Sequence, residues 1–149
     1  MKSILTSLTL VFAFALAEAQ QFEYKVITTV ESLVPKGLGR SRMIETDEVR
    51  NYKDFTSVRS EENDERNKSD RSEIRVKNFS ETKLLNFYNL TGIRFQNIAA
   101  NDALMSSKIN DMAEQGWELA FVNTGVESDA GKGDSKGIFI TRYIFRRQK

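Results

Sequence analysis

Residues 97–122, NIAANDALMSSKINDMAEQGWELAFV, carry two periodicities back to back. Up to Gln115 the apolar side chains Ile98, Met105, Ile109, Met112 and Ala113 recur at three- and four-residue intervals, the spacing of one helix face. Gly116 then offers the residue best suited to a left-handed helix stop. Beyond it the step changes to two, and Trp117, Leu119 and Phe121 fall on one side of an extended run. The reading predicts a helix from Asn97 or Asn101 to Gln115, followed at once by a strand over 117–122. A helix with a single apolar stripe needs a sheet to cover, so the fold class is α+β.

Working outward, the C-terminal side supplies the next strand. Ile138 to Arg146 alternates Phe139, Thr141, Tyr143 and Phe145 with Ile138, Ile140, Arg142, Ile144 and Arg146, and the Gly-, Asp- and Lys-rich residues 125–137 read as the loop of a terminal hairpin. Both faces of this strand carry apolar residues. One helix covers one face, so the other is either a contact surface for a partner or a second copy, or is sealed by the middle of the chain. On the N-terminal side, FEYKVITTV from Phe22 alternates in the same way, and Pro35-Lys36-Gly37 marks a turn after it. The expectation is a small, mostly antiparallel sheet with one main helix packed on one face.

The middle is different in kind. Arg59 to Glu73 is fifteen residues with no apolar side chain and ten charges of mixed sign, too little to offset the entropy of ordering. Strand-like runs at Phe55–Val58 and Ile74–Lys77 flank it, which predicts a central hairpin or insertion with 59–73 as its mobile, charged tip. Leu84, Leu85, Phe87 and Tyr88 behind a Ser80 cap suggest a short helix over 80–90.

The first nineteen residues read as a transport signal. Lys2 precedes an apolar run from Ile4 to Leu16, and Ala17-Glu18-Ala19 puts small residues at the cleavage-determining positions. The run is shorter than the roughly 20 residues that cross a bilayer. Cleavage after Ala19 leaves 130 residues, read as one domain over 20–149 with 46 apolar residues and a thin core. The expected location is periplasmic or secreted, by the Sec route.

Composition excludes much chemistry. With no Cys and no His there is no disulfide, no thiolate nucleophile, no Ser-His-Asp triad and no ordinary zinc site. A net charge of +1 argues against binding nucleic acid through bulk electrostatics. No cofactor is expected.

The opening Glu23-Tyr24-Lys25-Val26, the Gly116-Trp117-Glu118-Leu119 junction and the closing Tyr143-Ile144-Phe145-Arg146-Arg147 resemble a small bacterial domain family of unknown function, with an EYKV first strand, a helix ending in GWEL and a C-terminal hairpin. The resemblance covers the ends of the mature chain and not residues 37–96. It implies an α+β sheet with a helix on one face and a bacterial origin, and it supplies no catalytic residue. Trp117 is read as a core anchor.

Four candidate sites remain. Gly125 to Gly133 fails as a phosphate loop, because five residues instead of four precede Gly131-Lys132 and Gly133 stands where a hydroxyl should hold magnesium. Glu127, Asp129 and Asp134 form a weak calcium alternative, opposed by Lys132 and Lys136. Gly37, Gly39, Arg40 and Arg42 could grip an anion by exposed amides and guanidinium forks; otherwise the arginines pair with the acidic loop. Glu118 and Glu127 could serve as the two carboxylates of a hydrolase acting on extracellular glycan. Sequons at Asn67, Asn78 and Asn89 read as accidental in a bacterial chain. The leading functional expectation is an exported, non-enzymatic binding or interaction module. Its partner would be another envelope protein, or a second copy through the C-terminal sheet, with no nucleic acid and no membrane span.

Overall fold

The computed structural model describes residues 21–33, 40–127 and 137–149. The signal segment, the Pro35 turn and most of the loop between the last two strands lie outside the described residues.

The centre of the molecule is a ladder between the first strand and the last. β1 (Phe22–Ser32) pairs antiparallel with the final strand over eleven consecutive positions, from Phe22 opposite Gln148 to Ser32 opposite Ile138. β2 (Ser41–Glu45) lies on the other side of β1, and β3 (Ser80–Leu84) lies outside β2. A two-stranded ribbon, β4 (Tyr88–Asn89) and β5 (Gly92–Ile93), leads into the main helix. Of the two strands beyond that helix, β6 (Glu118–Val126) is the second edge and β7 (Ile138–Gln148) is the central partner of β1. The order β3-β2-β1-β7-β6 is antiparallel throughout, and the fold is α+β as expected.

A one-turn helix, α1 (Arg71–Ile74), stands in the central segment; the main helix, α2 (Phe95–Glu114), begins two residues before the earliest expected start. Its end shows why Gly116 is there. Gly116 sits at φ 81°, its N–H bonds Ala113 O at 2.9 Å, and the Trp117 N–H bonds Met112 O at 2.9 Å, which satisfies two of the last helical carbonyls. Of the expected apolar stripe, Met105 and Met112 are buried and Ile98 and Ile109 half-buried, while Ala113 is exposed. Met105 and Met112 pack with Ile27, Met43, Leu84 and Phe145 as the buried core, with Ile109, Trp117 and Tyr143 against it. Trp117 thus takes the anchoring place expected of it.

Three expectations are corrected. Residues 80–84 are strand β3 and not a helix, because Glu45, Ile44, Met43, Arg42 and Ser41 of β2 lie ready to pair with them one for one. The central hairpin exists, but β2 and β3 are its arms, and neither Phe55–Val58 nor Ile74–Lys77 is a strand. Instead a 3-10 turn at Tyr52–Phe55 and α1 are capped by the side chains of Asn51 and Asp70, as suits a segment with no apolar face to bury. Finally, Trp117, Leu119 and Phe121 do not share one face. Leu119 lies opposite Phe145 while Phe121 lies opposite Ile144, so Ala120 is the extra residue of a β-bulge that turns Phe121 to the other side.

Candidate interaction surface

The pleat divides the sheet into two unlike faces. Lys25, Ile27, Thr29 and Glu31 point to the helix side of β1, while Tyr24, Val26, Thr28 and Val30 point away from it. The register carries that division across three strands. Tyr24 aligns with Arg146 and Glu118, Val26 with Ile144 and Phe121, Thr28 with Arg142 and Asn123, and Val30 with Ile140 and Gly125. The middle of this outward face is apolar, and Tyr24, Val26 and Phe121 are 58 %, 45 % and 59 % exposed. Its rim is charged: Arg146 grips the Glu118 carboxylate through Nε at 2.9 Å and Nη2 at 3.2 Å, and its guanidinium lies 5.0 Å from the Phe22 ring. Arg146 holds the Glu118 carboxyl below the usual carboxylate range. Among the described residues no element covers this face, and the central segment does not seal it.

The helix side is closed by polar clamps. Glu45 binds Lys25 of β1 at 2.6 Å and Lys108 of α2 at 2.8 Å, tying helix to sheet through one carboxylate. Burial alone would raise the Glu45 carboxyl, but the two ammonium groups outweigh it and hold it below its ordinary value. At the opposite end, Asn101 accepts from the Leu85 N–H at 2.8 Å and donates to Leu85 O and the Glu31 carboxylate, both at 2.8 Å. Burial lifts the Glu31 carboxyl above its ordinary value, with the Asn101 hydrogen bond opposing and the charge of Asp102 adding to the rise. Tyr143 is raised by burial and by the charge of Glu31. Sequence reading missed Asn101 although a signal existed: it occupies a stripe position, three residues after Ile98 and four before Met105.

The candidate hydrolase pair does not assemble. Glu118 opens β6 and Glu127 follows its end, roughly 30 Å apart by strand rise, far beyond the separation at which two carboxylates act on one glycosidic bond. The hydrolase pair is therefore not formed. Arg42 points its guanidinium at the Glu81 carboxylate on the neighbouring strand and donates to Ser41 O at 2.7 Å, so it is not held open for an anion; its acidic partner is in β3 and not in residues 59–73. Arg40 stands exposed beside it, and Gly37 and Gly39 lie outside the described residues. Of the calcium set, Glu127 is exposed, while Asp129 and Asp134 lie outside the described residues. Among the described residues no three carboxylates gather as metal ligands, and no helix is long and apolar enough to cross a membrane. No family model, no curated protein and no solved structure matches the chain.

Proposed function

We propose that the protein is an exported, non-enzymatic interaction module that engages an envelope or secreted protein through the uncovered face of its sheet. One observation carries the reading: the centre of that face, around Val26, Ile144 and Phe121, is apolar, open to solvent at Val26 and Phe121, and flanked by the Arg146–Glu118 pair and by Arg142. Apolar surface so flanked loses its contact with water when a partner sits on it, while the rim pairs keep their hydration. The signal-like residues 1–19, with the resemblance of β1, the Gly116-Trp117 junction and β7 to a bacterial family, support a partner in the periplasm or outside the cell.

The test is recovery of a partner. Tagged protein drawn from its native envelope should bring down one protein in fixed ratio, and Val26→Lys, at a position 45 % exposed, should abolish that recovery with the melting temperature unchanged. Equal recovery by the variant would remove the open face from consideration.

A further inference from the structure

The two edges of the sheet are unlike. β3 is five residues long and carries Glu81 and Lys83, the short and charged form that discourages a further strand. β6 is nine residues long, and its Phe121–Val126 window contains no charge and no proline and is exposed throughout. Among the described residues nothing pairs with its outer side. We infer that β6 pairs antiparallel with β6 of a second copy across a two-fold axis at Asn123, joining two five-stranded sheets into one of ten.

The register follows from the side chains. An axis normal to the sheet keeps each face on its own side, so only alternate registers are allowed. With Asn123 opposite its own copy, Phe121 faces Gly125 of the second copy. A side chain at Gly125 would meet nothing within 4 Å, and Phe121 is 59 % exposed, so an unfilled position meets an uncovered ring. Aromatic-on-glycine pairing of this kind is a known way to steady a strand edge. On the helix side Val122 faces Thr124 of the second copy, a β-branched pair. The bulge at Ala120 ends the pairing, and Glu118, already held by Arg146, stays beyond it. Moving the axis to Thr124 puts Phe121 against Glu127; moving it to Val122 puts the Ala120 bulge inside the pairing and Phe121 against Asn123. The Asn123 register keeps Glu127 away from Phe121 and leaves the bulge at the end of the pairing. A single short strand pair buries little area, so association should be micromolar and not nanomolar. The inference goes beyond the interaction-module reading: it uses the β6 edge and a second copy, where that reading uses the outward face of the sheet.

The absence of native cysteine makes the test clean. Opposed Cα atoms in an antiparallel pair lie roughly 4.5–5.5 Å apart, inside the disulfide range. The protein as purified from cells should sediment increasingly as a dimer with rising concentration. Asn123→Cys should give an oxidised covalent dimer, whereas Thr82→Cys on the β3 edge should not. Gly125→Glu, whose side chain enters open space in the monomer but sets a carboxylate against Phe121 of the second copy, should weaken association at least about tenfold with the fold retained. Monomers at every concentration, or dimers that Gly125→Glu leaves intact, would overturn the inference. Efficient cross-linking through Thr82→Cys and not through Asn123→Cys would do the same. Monomeric behaviour with partner recovery still sensitive to Val26→Lys removes the dimer alone; dimers with no recovered partner remove the heterologous reading alone.

Discussion

The two faces of the β1–β7 ladder are built from neighbouring residues of the same strands, yet they differ in what each residue is for. Ile27 is fully buried beneath α2, and Val26, one residue earlier, is 45 % exposed on the bare side. On β7 Phe145 is fully buried and its neighbour Ile144, on the bare side, only partly so. The difference teaches that hydrophobicity in this strand pair builds the core on the helix side and meets solvent on the other. A strand whose two faces are both apolar is therefore not evidence of a fully buried sheet.

The comparison is broken most directly at that adjacent pair. Ile27→Ala should cost about 2–5 kcal/mol in urea unfolding, as deletions in a packed core do, while Val26→Ala should stay within about 0.5 kcal/mol. Equal losses would show that something covers the outer face. Next comes the clamp at the buried end: Asn101→Ala leaves the Leu85 N–H and carbonyl without their partner under α2, and about 1–3 kcal/mol should be lost. Exchange protection of the Leu85 amide should fall with it.

Smaller still is the effect of the Glu45 bridge. Its carboxyl titrates lower in the folded chain than its ordinary 4.5, so its contribution is present above that value and lost as pH falls through the depressed folded pKa. Glu45→Gln should remove about 1 kcal/mol at neutral pH and flatten the acid limb of a melting-temperature profile. Glu31 has the opposite sign. Its folded pKa lies above 4.5, so folding is favoured most below that value and the charge costs stability as pH rises through the folded pKa. Glu31→Gln keeps an acceptor for Asn101 and should be neutral or slightly stabilising at pH 7, with no difference from the parent in acid. A Glu31→Gln variant weaker at pH 7 than at pH 4 relative to the parent would contradict that assignment.

Much of the covered side was legible in the sequence because it rests on long, regular periods. The α2 stripe, the Gly116 stop and the alternation of β1 and β7 each repeat one spacing over many residues. What escaped lies where one residue decides. The bulge at Ala120 breaks the alternation at a single position and sends Phe121 to the bare face, and no local residue type announces it. β3 buries only Leu84, so an edge strand with one apolar contact has no period to read, and the run Leu84-Leu85-Phe87 resembled a helix face instead. Asn101 was visible as a polar residue on an apolar stripe, but its role depends on Leu85, sixteen residues upstream, being folded back against it. The candidate carboxylate pair failed for a geometric reason of the same kind. Glu118 and Glu127 are close in sequence, and a strand between them sets them as far apart as nine residues can be.

The eleven-pair ladder between β1 and β7 also sets the order of events in biosynthesis. The first strand has no partner on that side until Ile138 and the residues after it exist, more than a hundred positions later. Contacts of such long range slow folding, and here they withhold the centre of the sheet until residues 138–148 have been made.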